Sequence, residues 1–341
     1  MTTMINRQIL LKSRPFGSPT EANFELVESS ILEPGEGRFL TRTIYLSLDP
    51  YMRGRMSGVK SYTEPQALNA VMQGGTVSRV VSSRHPGFVE GDYVLGNDGW
   101  QEYAVSDGKG CRKLDPSKGP LSYALGVLGM PGLTAYAALF DVGRPKKGET
   151  VVVSAASGAV GSVVGQIAKI QGCRAVGLAG SDEKCDFVTK ELGFDACINY
   201  KTEDLHVSLT TTCPEGIDIY YDNVAGRVLE AVLKHLNIGA RIPLVGLISQ
   251  YNATEMPPGP NLMPLLVKRA LIQGFLVSDH YHRMPDFLRD VSSWIKAGKI
   301  KYREDIANGI EEAPRAFLRL FSGENFGKLI VQVSEDSNRT I

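Results

Sequence analysis

An excess of charge of either sign is absent from this chain: 37 Lys and Arg stand against 37 Asp and Glu, for a formal net charge of +0. A balanced surface argues against a nucleic-acid or membrane partner, and neither is expected. Long apolar runs are absent as well. None reaches the roughly 18 to 20 residues that a bilayer span requires, and Met1 to Phe16 lacks the apolar stretch of a signal peptide, so a cytoplasmic protein is expected. Cysteine is sparse. Cys111, Cys173, Cys185, Cys197 and Cys213 are scattered with no C-x-x-C spacing, which argues against a disulfide framework or a structural zinc cluster. A catalytic zinc needs about three protein ligands. His280 and His282 stand beside Asp279, but their flanks, Tyr281 and Arg283, fit a polar loop, and no metal is expected.

What the chain does contain is a run from Val151 to Gly180 that reads as strand, glycine turn, helix and strand. Val151, Val152 and Val153 suit a strand buried on both faces. Ala156-Ser157-Gly158-Ala159-Val160-Gly161 follows, a G-x-G-x-x-G with alanine in its first place. In such a turn Gly158 lets the backbone approach a pyrophosphate, and Gly161 lets helix and strand pack closely. The helix N-terminus meets negative charge with free N–H groups. Val160, Val163, Val164 and Ile167 fall on one helical face, and Gly172 sits where a C-terminal cap belongs. The second strand, Arg174 to Ala179, is followed by Gly180-Ser181 instead of the Asp or Glu that would hold a ribose 2′-hydroxyl, which favours NADP over NAD. Lys184 reads either as a partner for a 2′-phosphate or as a solvated lysine on the next helix.

Further strands are expected over Ala196–Tyr200, Ile217–Val224, Arg241–Ile248 and Leu271–Ser278, with Leu229, Val232, Leu233 and Leu236 marking a helix between two of them. With the first two strands that makes six, a doubly wound parallel sheet of the α/β class. Ligands of such sheets lie beyond the carboxyl ends of the strands, which marks Tyr200, Asn223, Gly246 to Tyr251 and Asp279 as wall candidates. The texture before this region differs. Short β-like runs over Glu25–Ser29, Gly37–Leu46, Gly74–Ser82, Asp92–Leu95 and Trp100–Val105, punctuated by Gly and Pro, predict a small β-rich domain. Ala313–Leu320 has a helical pattern, and Gly327–Val333 reads as a strand able to return to that domain.

Longer motifs carry a resemblance. Leu48-Asp49-Pro50-Tyr51-Met52-Arg53-Gly54-Arg55-Met56 and Leu128-Gly129-Met130-Pro131-Gly132-Leu133-Thr134-Ala135-Tyr136 join the Ser154 to Gly161 turn, Gly180-Ser181-Asp182-Glu183-Lys184 and Tyr221-Asp222-Asn223-Val224. Later come Gly246-Leu247-Ile248-Ser249-Gln250-Tyr251-Asn252, Gln273 to Asp279 and Asn325-Phe326-Gly327-Lys328. Over nearly its whole length the chain resembles the zinc-independent medium-chain dehydrogenase/reductases of the leukotriene B4 dehydrogenase and prostaglandin reductase group. It is similar there to bacterial curcumin reductases and plant double-bond reductases.

The resemblance implies a GroES-like β-barrel domain over residues 1–125, completed by 304–341, and a Rossmann NADP-binding domain over 126–303. It implies NADP(H) as cofactor, a small-molecule enone or enal as substrate and a homodimer. The reaction would be hydride transfer to the β-carbon of an α,β-unsaturated ketone or aldehyde, with protonation at the α-carbon. Matched to the motifs, the cofactor falls on Met130, Thr134, Ala156, Gly158, Ala159, Val160, Gly161, Ser181, Lys184, Tyr200, Asn223 and Asn325, and Tyr51 and Tyr251 face substrate. Tyr251 is the first candidate for donating to the developing enolate oxygen. Arg53 and Arg55 are candidates for an anionic substrate tail or for structural pairing. Where zinc-dependent relatives place their first ligand, this chain has Asp49-Pro50-Tyr51, which disfavours Lewis-acid alcohol oxidation. Two alternatives stay open: a quinone reductase of the same superfamily, and an NADPH-binding sensor that has lost catalysis.

Overall fold

The computed structural model describes residues 5–336. The chain divides into two compact units, one made of residues up to 125 with 304–325 and the stretch from 329 onward, the other of 126–303 with 326–328.

In the first unit β1 (Ile5–Leu11) pairs antiparallel with β2 (Phe24–Ser30). The strands β3 (Phe39–Ser47), β4 (Thr76–Ser83), β5 (Tyr93–Gly96), β6 (Tyr103–Ser106) and β7 (Arg112–Leu114) follow, with the short helix α1 (Met52–Arg55) between β3 and β4. β3 is the hub. β4 runs along one edge of it, and the other edge is shared by β6, on Phe39–Arg42, and the last described strand, Lys328–Gln332, through Ile330↔Ser47. Eight of its nine residues are buried, as a central strand packed on both faces requires. The barrel core holds Phe24 stacked on Trp100 at 5.5 Å, with Phe317 edge-on to Trp100 at 5.6 Å. Phe317 belongs to the helix Ala313–Ser322, so a segment from the far end of the sequence closes a core begun by the first.

The second unit opens with α2 (Met130–Ala138) and is built on a parallel sheet. Its strands are β8 (Thr150–Ser154), β9 (Arg174–Ala179), β10 (Ala196–Asn199), β11 (Ile217–Tyr221), β12 (Leu236–Leu244) and β13 (Leu271–Gly274). They lie in the order β10-β9-β8-β11-β12-β13, and the reversal of direction beside β8 is the switch point of a doubly wound sheet. The helices α3 (Gly161–Ile170), α4 (Asp182–Asp186), α5 (Leu205–Thr212), α6 (Gly226–Leu233), α7 (Met263–Lys268) and α8 (Met284–Lys296) connect or cover them. The strand β14 (Glu304–Asn308), the helix α9 (Ala313–Ser322) and the strand β15 (Lys328–Gln332) follow in sequence, and apart from Lys328 they belong to the first unit. This is the Rossmann plus GroES-like architecture. α3 ends as the pattern demands: Gly172 takes φ +79, its N–H bonds to Lys169 O at 3.0 Å, and Cys173 N–H bonds to Ala168 O at 2.9 Å.

Several expected boundaries differ. Leu236 does not extend the helix; it opens β12, because α6 closes at Leu233 and His235 N–H turns back to Val232 O. Leu236 is buried either way, so helical spacing alone misplaced it. β12 starts five residues earlier than Arg241 and stops at Leu244, where a single parallel bridge to Asp222, closed by Val245 N–H on Asp222 O at 2.8 Å, ends the pairing. β11 stops at Tyr221 instead of Val224. The carboxylate of Asp222 accepts the N–H groups of Val224 at 2.9 Å and Ala225 at 2.8 Å and bends the chain. β13 ends at Gly274, and Val277–Arg283 forms a 3-10 turn in place of the expected strand end. β1, β7 and β14 carried too weak an alternation to be foreseen.

Candidate active site

The Ala155–Gly161 turn is shaped by contacts that leave no room for a side chain at Gly161. Ala155 takes the left-handed conformation, φ +51, and its carbonyl receives Gly158 N–H at 2.9 Å. A Cβ on Gly161 would sit 2.3 Å from that same carbonyl oxygen. A Cβ on Gly177 in β9 would meet the Cβ of Ala156 at 2.8 Å. Ala156 is fully buried, and its N–H joins Leu178 O at 3.0 Å. Gly158, Ala159 and Val160 are partly exposed at the N-terminus of α3, the first two with little or no side chain. The set fits the pyrophosphate of a dinucleotide: small residues where the chain must come close and a helix N-terminus behind them.

The ends of β9 and β10 form the neighbouring wall. Ser181 caps α4, its hydroxyl accepting the N–H of Lys184 at 3.3 Å. Tyr200 follows β10 directly, its N–H on Ala179 O at 3.1 Å, and its hydroxyl is 3.0 Å from where a Gly180 Cβ would be. Burial pushes the Tyr200 phenol above its ordinary pKa, with Arg227 pulling the other way from 5.7 Å above the ring. The Lys184 ammonium lies 5.9 Å from the ring centroid of Phe326, which also carries the Arg303 guanidinium at 3.7 Å and stands edge-on to Phe187 at 5.0 Å. Gly327, next in sequence, forms a parallel bridge with Gly158. Ser181, Lys184 and Tyr200 are thus brought together, and Phe326–Gly327 is set against the glycine turn.

Asn223 is locked to β8. Its side-chain amide donates to Ser154 O at 2.8 Å, and its N–H donates to Ser154 Oγ at 2.8 Å. The neighbouring Asp222 is wholly buried, and burial raises its carboxyl pKa against the pull of the Ala225 and Val224 N–H groups and the Tyr220 hydroxyl. Met130 is the first residue of α2, with its carbonyl receiving the hydroxyl of Thr134 at 2.7 Å. The Thr134 carbonyl in turn accepts Tyr221 O–H at 2.8 Å. Tyr251 lies on the half-buried loop after β12, and its phenol oxygen accepts the N–H of Leu247 at 3.4 Å.

Two candidates belong to the first unit. Tyr51 directly precedes α1, and the guanidinium of Arg55 lies 4.8 Å above its ring. Asn325 precedes Phe326 at the end of the α9 segment. Arg53 is 6 % exposed and donates to Gly17 O at 2.8 Å, a bond that ties α1 to the loop before β2. Arg55 donates to Gln73. His280 is held by Asp141 at 3.0 Å and stacked on Phe275 at 4.3 Å. Sequence reasoning missed Ser154, Asp222 and the Phe326–Arg303 stack. The first two sit at strand ends flanking the glycine turn, a position that signals them, whereas the third joins residues far apart in sequence.

Residues 7–114 match the family described as the N-terminal domain of oxidoreductase, and residues 159–293 the family described as zinc-binding dehydrogenase. The NADPH-dependent curcumin reductase of Escherichia coli strain K12 is 53% identical over 337 residues, covering 97% of this chain and 98% of that protein. The NADP(+)-dependent 2-alkenal reductase of Nicotiana tabacum is 46% identical over 337 residues, covering 97% and 98%. The crystal structure of CurA from Vibrio vulnificus in complex with NADPH is 53% identical, with a TM-score of 0.93 over 97% of this chain and 100% of that one. With motifs, fold and relatives in agreement, the chain belongs to the medium-chain dehydrogenase/reductase family, in its prostaglandin reductase group.

Proposed function

We propose that this protein reduces the carbon–carbon double bond of α,β-unsaturated ketones and aldehydes with NADPH. The observation that carries this reading is the conjunction, in one unit, of the bare glycine turn at Gly158 with Ser181, Lys184 and Tyr200 at the ends of β9 and β10. The reductases among its relatives share that cofactor. Bound NADPH supplies a hydride to the β-carbon of the conjugated bond.

The chain's own residues do the rest. Ala156, Gly158, Ala159, Val160 and Gly161 receive the pyrophosphate on backbone groups, and Ser181, Lys184 and Tyr200 hold the 2′-phosphate. Met130, Thr134 and Asn223 fix the nicotinamide half. As charge develops on the substrate's carbonyl oxygen, the Tyr251 hydroxyl donates to it. The bond from Leu247 N–H occupies a lone pair of that phenol oxygen and polarises it toward donating. A proton reaches the α-carbon to complete the saturated product. Among the described residues no group of three or more His, Cys, Asp or Glu is placed to hold a metal ion.

The protein acts as a homodimer through β13. That strand is the sheet edge, and Leu271 and Ile272 are 39% and 37% exposed. Leu266 and Val267 of α7 are 73% and 57% exposed, an apolar surface that a second copy would cover. Among the described residues no helix is long and apolar enough to cross a membrane. NADPH deuterated at the transferable position tests the reaction: deuterium is expected at the β-carbon of a saturated ketone, and label found elsewhere or an allylic alcohol product contradicts the reading.

A further inference from the structure

The guanidinium of Arg303 lies 3.7 Å from the centroid of the Phe326 ring and 5.7 Å from that of Phe187, and the two rings stand edge-on to each other at 5.0 Å. A cation packs on an aromatic face because the ring carries negative charge there. The backbone beneath is fixed from two sides. Lys301 N–H donates to the side-chain carbonyl of Gln166 in α3 at 2.7 Å, and the Gln166 amide donates back to Lys301 O at 2.9 Å. Gln166 is buried. Arg303 O accepts the N–H of Lys328 at 3.0 Å, and a Cβ on Gly327 would come within 2.3 Å of that oxygen. Gly327 forms the parallel bridge with Gly158, so Arg303 is anchored both to the helix behind the glycine turn and to the segment that lies along the turn.

This guanidinium is held without being used. Arg303 is exposed, and among the described residues its side chain forms no ion pair and donates no hydrogen bond. The neighbouring Arg227 is committed by comparison, donating to Tyr200 O at 2.7 Å. The Lys184 ammonium approaches the same Phe326 ring, at 5.9 Å, so two cations share one aromatic platform. Two carboxylates of α4 are engaged elsewhere: Asp182 accepts the Asn199 amide at 2.7 Å, and Asp186 pairs with Lys190 at 2.9 Å. Like charges gathered at one ring repel, and an anion set between them turns that repulsion into attraction.

We infer that Arg303 is a specificity residue for NADPH: stacked on Phe326, it binds the 2′-phosphate together with Lys184. The inference rests on the reading of Ser181, Lys184 and Tyr200 as the 2′-phosphate site. A phosphate monoester brings close to two negative charges and three acceptor oxygens, more than one ammonium satisfies. The planar fork of Arg303 donates two parallel N–H groups to two of those oxygens, while Lys184 acts as a point charge on the third. The N–H groups lie in the plane of the guanidinium, so stacking leaves them free along its edge. Stacking also orders a long side chain before the ligand arrives, which removes much of the entropy that binding would otherwise cost. NADH presents a neutral hydroxyl at that position and gains little from a second cation.

The test measures binding to the full-length protein for two pairs of ligands that differ only in the 2′-phosphate: NADPH with NADH, and adenosine 2′,5′-bisphosphate with AMP. Arg303→Ala should raise the Kd of the phosphorylated member of each pair about five- to tenfold, the loss of one exposed charge-assisted contact. The other member should stay within about twofold and the melting temperature within about 2 °C, as for a surface substitution. Arg303→Lys, which keeps the charge without the fork, should recover part of the loss. An unchanged Kd for the phosphorylated ligands, an equal rise for both members of a pair, or no recovery with Arg303→Lys overturns the inference. Lys184→Ala run in parallel separates it from the reading of the site. A phosphate-dependent loss with Lys184→Ala and none with Arg303→Ala removes Arg303 alone, whereas wild-type protein that fails to distinguish the members of either pair removes the phosphate site and Arg303 with it.

Discussion

A Cβ placed on Gly161 would lie 2.3 Å from the carbonyl oxygen of Ala155. The atom it meets is backbone, in a turn already holding Ala155 at φ +51, so the clash cannot be relieved by rotating a side chain. Gly161→Ala should therefore destabilise the parallel-sheet unit by about 1–3 kcal/mol and weaken NADPH binding with it. Thermal unfolding with and without NADPH checks both, and an unchanged melting temperature would count against the packing role given to Gly161.

Lys184 supplies the charge expected to meet the 2′-phosphate. Lys184→Ala should lower kcat/KM for NADPH by about 10- to 100-fold, the loss of one charge-assisted contact. The NADH value should stay near wild type. An equal loss with both nucleotides would place Lys184 outside phosphate recognition.

For Tyr251→Phe, kcat should fall by about 10²- to 10³-fold, as for removal of one oxyanion donor. The NADPH Kd should hold, because Tyr251 is assigned to substrate. Retained kcat would transfer the donor role to another group, with Tyr51→Phe as the next variant.

Asp195 gives a pH signature. Burial opposes its charge, but the Lys169 ammonium at 2.7 Å and the Ala175 N–H at 2.7 Å outweigh it and hold its pKa below the ordinary 3.8. A lowered folded pKa stabilises the fold above the unfolded value, and the contribution is lost as pH falls through the folded one. Stability should drop below about pH 4, and Asp195→Asn should flatten that part of the curve measured by denaturant unfolding.

The exposed edge at β13 predicts a dimer in solution. Ile272→Lys, placed on a strand whose four residues are all exposed, should shift the molecular mass measured by light scattering toward one chain without lowering the melting temperature of the folded unit. A wild-type mass of one chain would contradict the β13 interface.

The nucleotide-binding half was legible because local rules agreed there. Val151–Val153, Gly158, Gly161 and the Gly172 cap each pointed to one arrangement, and β8, the turn and α3 follow it. Legibility failed where a side chain redirected the backbone. The Asp222 carboxylate turned the chain and ended β11 early, and nothing in the apolar spacing of Ile217–Val224 announces that. Leu236 shows the other failure, since a buried leucine satisfies helical spacing and a strand alike. Arg53, open between substrate and structure in the sequence, is buried on Gly17. The meeting of Phe326 with Arg303 and Lys184 depends on tertiary packing that residue spacing does not encode.

The most direct measurement is NADPH oxidation by the purified protein with an aliphatic enone, a bulky diarylheptanoid dienone and a quinone, with NADH run in parallel and the products identified. Oxidation of NADPH that depends on the enone, a saturated ketone product and weak use of NADH are the predicted results. Turnover of the quinone alone, or NADPH binding with no turnover of any of the three, would contradict the assignment as an enone reductase.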